Sequence, residues 1–239
     1  MLPQTTSNTS GNRFDDFFQD AVYLSLKKDL FSYRFRKWKI AKHVPSSGRI
    51  LDIGSGTAPV SPDMARTVVA DLSEEAMKKV ECESKVVTSI TGMPFDPATF
   101  DCILCSEVLE HVPEDDKAAA ELRRVLKPGG VLVVTVPYQK RFWAEDDEYV
   151  VHVRRYDPGE LEQKLQRAGF QEITTYKMSG TIERWLTRRS LKTYQKSGAV
   201  TRLPLWLLRM ANTALFLSLV VTETFITWKG TTRILIVAR

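Results

Sequence analysis

The chain has 239 residues, 43% of them hydrophobic, and 34 Lys or Arg against 29 Asp or Glu give a net charge of +5. This is enough apolar content for one sizeable core, and without low-complexity tracts or internal repeats it excludes a disordered chain or a solenoid. Three cysteines, Cys82, Cys102 and Cys105, are too few for a disulfide framework, and no leader pattern of charged, apolar and small residues opens the sequence, so the expected compartment is the reducing cytoplasm.

The charge is unevenly spread. Residues 45–140 hold 10 basic and 15 acidic side chains, whereas residues 1–44 carry a balance of +4 and residues 141–239 one of +6. In the first basic stretch, "SLKKDLFSYRFRKWKIAKHV" alternates cations with Leu30, Phe31, Tyr33, Phe35, Trp38 and Ile40, a spacing that predicts an amphipathic helix. Its basic face either is solvated over the edge of the core or offers a surface for anionic lipid or a phosphorylated substrate. His43, at its end, has no motif around it and reads as structural.

Next, "RILDI" reads as a buried parallel strand running into a turn with Gly54 and Gly56, where the missing Cβ atoms allow a sharp bend and close approach to a ligand. Seventeen residues after Gly54, Asp71 ends a second apolar run, "TVVAD", where a doubly wound fold bonds a ribose hydroxyl. A dinucleotide fingerprint needs a third glycine at position 59 and a helix opening there; Pro59 argues against NAD. Ser73 is placed to cap a helix whose first turn carries Glu74 and Glu75.

Cys102 and Cys105 lie in the strand "FDCILCS", where residues three apart face opposite ways, so ordinary packing is expected rather than redox or zinc chemistry. Glu107, Glu110 and His111 follow at i, i+3 and i+4, so one helical face would present two carboxylates and an imidazole. That spacing can hold a divalent cation, but it does not define one, and the expectation is a site without a metal. "KPGG" at 127–130 stops the next helix before another strand. The aromatic and acidic loop "FWAEDDEYV" leads to His152, followed by Arg154, Arg155 and Tyr156, which either hold an anionic group or pair with the acidic run. Asp157 to Glu160 reads as a capping box with Pro158 at the first helical position. After the strand "FQEITTYKM", about fifty residues intervene before a final strand, "TTRILIVAR". They open with the basic "TIERWLTRRSLKTYQKSG" and continue into an apolar stretch whose uncharged run, Met210 to Thr222, is 13 residues long. About 18 are needed to suggest a membrane span. The stretch is therefore expected either to pack as helices against the domain or to lie in one leaflet of a membrane interface.

The segments "LDIGSGT", "VVADLSEEAM", "GMPFDPATFDCILCSEVLEHV" and "AELRRVLKPGGVLVVTVP" occur in the order seen in the class I S-adenosylmethionine-dependent methyltransferases, and residues 50–136 resemble the branch that includes ubiquinone-biosynthesis enzymes. The resemblance implies an α/β fold: a doubly wound, Rossmann-like seven-stranded sheet with its last strand antiparallel, N-terminal helices, and a helical insertion between strands six and seven. The expected organisation is an N-terminal extension at 1–44, a cofactor-binding core at 45–178, a basic and hydrophobic insertion at 179–229, and a final core strand at 230–239. It further implies that Asp52, Gly54, Ser55 and Gly56 sit beside the methionine portion of S-adenosyl-L-methionine and that Asp71 accepts the ribose hydroxyls. Leu72 and Met93 would flank the adenine, and Ser106 would touch the cofactor from the end of strand four. Ser89 stands where relatives carry an Asp that bonds the adenine amino group, and Ala58 replaces the usual third glycine. The segment from the turn to Asp71 is about four residues shorter than is typical, roughly one helical turn.

The expected activity is methyl transfer to a small-molecule or lipid-linked acceptor, with action at a membrane surface compatible with the basic additions. Methylation of protein or RNA, or a non-catalytic cofactor-binding scaffold, are the alternatives, although no nucleic-acid module is visible. A weakly acidic nucleophile such as a hydroxyl would need a base, for which His152 and His111 are the candidates.

Overall fold

The computed structural model describes residues 28, 30–181, 183–186, 188–189, 205–222 and 225–239. Most of the expected N-terminal extension, and residues 190–204 of the insertion, lie outside them. Seven strands form one sheet in the order β3-β2-β1-β4-β5-β7-β6. They are β1 (Ile50–Ile53), β2 (Thr67–Asp71), β3 (Lys85–Val87), β4 (Phe100–Ser106), β5 (Leu126–Pro137), β6 (Ile173–Gly180) and β7 (Thr231–Ala238). Strands β1 to β5 pair in parallel, and β7 runs antiparallel between β5 and β6. The order reverses beside β1, so the carboxyl ends of β1, β2 and β4 open on a common crevice, which is where such sheets bind ligands.

Helices cover both faces, since every residue of β1 and β2 is buried. In chain order they are α1 (Phe31–Ala41), α2 (Glu74–Lys79), α3 (Asp115–Val125), α4 (Glu145–Tyr149), α5 (Glu160–Arg167) and α6 (Leu205–Thr222). On one face Leu51, Ile53, Ile103 and Cys105 pack with Leu122 of α3 and Leu161 and Leu165 of α5. On the other, Ile50, Cys102, Leu104 and Leu235 pack with Phe31, Phe35 and Ile40 of α1 and Leu219 of α6. Cys102 and Cys105 thus lie on opposite faces, both fully buried, as strand alternation requires.

Local chemistry sets the helix ends. The Ser73 hydroxyl accepts the Ala76 N–H at 3.1 Å, and Glu74 and Glu75 begin α2 while Lys78 and Lys79 end it, matching the helix dipole. Helix α3 stops at Val125, two residues before "KPGG", and those four residues belong to the start of β5. At the start of α5 only half of the expected capping box forms: Glu160 Oε2 accepts the Asp157 N–H at 3.1 Å. Gly159, at φ +80°, turns the chain just before the helix, which leaves Pro158 outside it and frees the Asp157 carboxylate to accept the Lys140 N–H at 2.9 Å.

One absence shapes the site. Between β1 and β2 the only helical turn is the 3-10 segment Met64–Arg66, so no α-helix follows the glycine turn. That side is covered instead by α1, whose Tyr33 hydroxyl donates to the Pro59 carbonyl at 2.7 Å.

Candidate active site

A cavity of about 490 Å³ lies at the carboxyl ends of β1, β2 and β4. Asp52, Gly54, Ser55, Gly56, Asp71, Leu72, Ser89, Ser106 and His111 all line it, so nine of the eleven side chains or turns expected from sequence come together. Met93 and His152 do not.

The turn is held from β2. The Gly54 N–H donates to the Ala70 carbonyl at 2.7 Å, and the Gly56 N–H donates to Asp71 Oδ2 at 2.7 Å. The other Asp71 oxygen accepts the Ser73 N–H at 2.8 Å, so one carboxylate joins the turn to the start of α2. Both glycines have positive φ, +70° at Gly54 and +55° at Gly56. At Gly54 a Cβ would also meet Val108 Cγ2 at 2.3 Å, so glycine is required there by conformation and by packing together. The Ser55 hydroxyl stays local, donating to the Gly56 carbonyl at 3.2 Å.

Asp52 is fully enclosed yet half satisfied. Its Oδ2 accepts the Ser61 N–H at 2.8 Å, whereas Oδ1 has no hydrogen-bond partner among the described residues. Burial pushes its carboxyl up to about 7, against the pull of the Ser61 and Val60 N–H groups. A lone carboxylate oxygen in such a place would be satisfied by a cationic donor.

Along the neighbouring wall Leu72 is half exposed, Ile90 is buried, and Ser89 shares a 2.9 Å hydroxyl contact with Thr91. Met93 does not line the cavity. Its backbone is clamped to α3, the N–H donating to Glu121 Oε2 at 3.0 Å and the carbonyl accepting from Arg124 at 2.9 Å, which sends the side chain into the core. Ile90 occupies the wall in its place.

The single helical face expected for Glu107, Glu110 and His111 is not formed. Glu107 has φ +58°, and only a 3-10 turn, Leu109–His111, follows, so the three side chains diverge. Glu107 turns to Thr135, whose hydroxyl donates to it at 3.1 Å, and to Arg233, whose Nε lies 2.8 Å away. Burial alone would raise this carboxyl, but Arg233 and Arg36 hold it down to about 2. Arg233 also pairs with Glu183 at 3.0 Å, tying β7 to the first residues after β6. The Ser106 hydroxyl joins the same group through Thr135 at 2.9 Å.

Arg36, which lines the cavity from α1, was not singled out from the sequence. It lies 3.6 Å from Glu107, and its Nε is buried without a hydrogen-bond partner among the described residues. The shortened segment before Asp71 was the available signal: with no helix after the turn, another element must close that wall.

Glu110 and His111 instead meet His152. The two imidazoles are 4.7 Å apart in an edge-to-face pair, and His152 Nε2 is 3.8 Å from Glu110 Oε1. His152 Nδ1 lies 2.8 Å from Asp147. Burial would raise Asp147, but His152 and Arg155 bring it down to about 2, so a charged acceptor fixes the Nδ1–H tautomer of His152. Glu110 is buried with neither carboxylate oxygen hydrogen-bonded among the described residues, and desolvation together with Glu107 raises it well above the usual carboxylate range. His111 Nδ1 lies 3.3 Å from the Val151 carbonyl; with the proton there, Nε2 is the basic nitrogen of a ring on the cavity wall. Ligand atoms of Glu110, His111 and His152 fall within 4.8 Å of one another, a different trio from the one that helical spacing suggested.

The anion-binding reading of Arg154, Arg155 and Tyr156 is also corrected. Arg155 is buried on Asp147 at 2.7 Å, Arg154 pairs with Asp115 at 2.6 Å, and the Tyr156 hydroxyl donates to Asp115 at 2.9 Å. All three brace the walls rather than face the cavity. His43 packs against the Tyr176 ring at 4.7 Å.

Comparison with known proteins agrees with the fold. A family model described as "Methyltransferase domain" matches residues 51–134. The ubiquinone/menaquinone biosynthesis C-methyltransferase of Photorhabdus laumondii is 29% identical over 215 residues, covering 70% of this chain and 85% of that one. The ubiquinone biosynthesis O-methyltransferase of Xylella fastidiosa is 34% identical over 110 residues, 40% of this chain and 45% of its own. Among solved structures, a Haloferax volcanii chain in complex with the Trm112 methyltransferase activator superposes with a TM-score of 0.65 at 15% identity, over 95% of this chain and 97% of that one. Haemonchus contortus phosphoethanolamine N-methyltransferase 2, solved with S-adenosyl-L-methionine, gives a TM-score of 0.58 at 18% identity, over 96% of this chain and 60% of its own.

Proposed function

The chain belongs to the class I S-adenosylmethionine-dependent methyltransferases, and on that premise we propose that it methylates a small-molecule or lipid-linked acceptor through the cavity beside Gly54. The observation that carries this is Asp52 Oδ1, buried in that cavity with no hydrogen-bond partner among the described residues. S-adenosylmethionine carries an ammonium, a carboxylate and a ribose diol, and the residues present fit all three. Asp52 answers the ammonium, the Gly54–Gly56 turn lets backbone come close, and Arg36 supplies from α1 the positive charge that a helix after the turn would otherwise provide. Asp71 uses its remaining lone pairs for the ribose, while Leu72, Ser89 and Ile90 form the adenine side and Ser106 the floor.

When bound, the sulfonium provides a methyl group already activated for in-line displacement. The protein's part is alignment and exclusion of water. His111 takes the proton of a hydroxyl acceptor, and Asp147 keeps the neighbouring His152 ring in one orientation. As domains, 45–178 and 230–239 act as the catalytic core, and 1–44 and 179–229 as its cover. Methyl label from the cofactor is expected to appear in organic-extractable material when protein and cell extract are incubated together. Transfer to polymer would point to protein or RNA instead, and binding without transfer to a scaffold.

The raised Asp52 carboxyl gives this reading a pH signature. In the free protein it is protonated below about pH 7. An ammonium paired with Oδ1 favours the ionised form, so cofactor binding releases a proton below that pH and affinity rises from pH 6 to pH 8. Calorimetry at pH 6.5 in buffers of different ionisation heat is expected to show release of more than about half a proton. Asp52→Asn is expected to abolish the buffer dependence; no buffer dependence in the unmodified protein would remove Asp52 from the binding site.

A further inference from the structure

Helix α6 is apolar on two sides; among the described residues one of them packs on the core, and the other carries side chains more than half exposed. Toward the core, Leu215, Phe216, Leu219 and Val220 pack beside α1. Polar groups secure that seam: the Phe31 N–H donates to Asn212 Oδ1 at 3.0 Å, and Arg34 donates to the Thr213 hydroxyl at 2.7 Å. On the far side, Trp206, Met210, Leu217 and Val221 follow one another at spacings of four, seven and four residues, a single stripe along the helix. All four are between 56% and 69% exposed. Trp185 at 59%, Trp228 at 49% and Phe225 at 80% add exposed apolar rings from the same insertion. Exposed apolar side chains in this number within one insertion call for a covering partner.

Charge selects among the partners. Residues 179–229 hold eight Lys or Arg against two Glu. Arg189 lies over the Trp185 ring at 5.7 Å and Lys177 over the Trp228 ring at 5.9 Å, so cations flank the exposed aromatics. Arg184 and Arg188 are paired with Asp146, and the rest of the excess has no acidic counterpart within the insertion's own sequence; a second copy would repeat that positive charge, whereas an anionic bilayer neutralises it. Depth is limited too, because no helix among the described residues is long and apolar enough to cross a membrane. Tryptophan and arginine beside an apolar stripe suit the headgroup boundary, where a ring has one apolar and one wet side.

We propose that the outer face of α6, with Trp185, Phe225 and Trp228, lies in the plane of an anionic lipid surface and docks the protein there. The full-length protein is expected to float with vesicles of equal phosphatidylglycerol and phosphatidylcholine, to stay behind with phosphatidylcholine alone, and to bind less as salt is raised. Replacing Met210, Leu217 and Val221 together by glutamine is expected to weaken vesicle binding at least about tenfold. These exposed positions lie away from the cavity, so cofactor affinity serves as the control for folding. Three results would overturn the proposal: no flotation with anionic vesicles, flotation that the triple substitution leaves unchanged, or a solution dimer that the same substitution dissociates.

Discussion

Replacing His111 by alanine is expected to slow methyl transfer to a hydroxyl acceptor about 100- to 1000-fold while leaving cofactor affinity within about threefold. Its imidazole is the one of the pair that lines the cavity, and its Nδ1 is directed at the Val151 carbonyl 3.3 Å away, which makes Nε2 the proton acceptor. His152 stands behind it, 4.7 Å ring to ring, and is itself locked by Asp147 at 2.8 Å. Asp147→Asn is accordingly expected to act in the same direction but less strongly, and to shift the pH profile of turnover rather than the cofactor affinity. The check is single-turnover transfer from labelled cofactor across pH 6 to 9 in each variant. Equal rates for His111→Ala and the unmodified protein would mean that the acceptor needs no base from this wall, as for an amine or an already acidic nucleophile.

Asp71→Ala is expected to raise the dissociation constant for S-adenosylmethionine about 100-fold. Two charge-assisted hydrogen bonds to the ribose, at roughly 1.5 kcal/mol or more each, account for about that factor. The loss also reaches the turn, since Asp71 accepts the N–H groups of Gly56 and Ser73 at 2.7 and 2.8 Å, and releasing Gly56 loosens the backbone that faces the ligand. Asp71→Asn should fall between: it keeps one acceptor oxygen but turns an amide N–H toward a backbone donor. Thermal unfolding of the ligand-free variants separates a collapsed turn from a lost ligand contact. A change in dissociation constant of less than threefold in Asp71→Ala would remove the residue from the ribose site.

Much of this architecture can be read in the chain because it depends on short-range rules. The buried strands appear as the apolar runs "RILDI", "TVVAD", "FDCILCS" and "TTRILIVAR", and the reversal of order beside β1 brings the Gly54 turn and Asp71 to one crevice. Where the reading failed, a contact distant in sequence had overridden local spacing. Glu107, Glu110 and His111 would share a face only in a continuous helix; Arg233, 126 residues further on, is bonded to Glu107 where the backbone has already turned to positive φ. Met93 is held off the cavity wall by Glu121 and Arg124 of α3, which bond its backbone from 28 and 31 residues away. Arg36 carried no motif, and its place on the cavity wall follows only from α1 closing the gap left by the short connection between β1 and β2. The pairing of His111 with His152 is of the same kind: a 3-10 turn after β4 and a loop after β5 meet only once the sheet exists.

The most direct measurement is titration of S-adenosylmethionine into the unmodified full-length protein by calorimetry, with NAD as the comparison ligand. One-site binding in the micromolar range is expected for S-adenosylmethionine and none for NAD, because Pro59 and the missing helix remove the pyrophosphate cradle. No saturable binding of S-adenosylmethionine at millimolar concentration, or equal binding of NAD, would contradict that expectation.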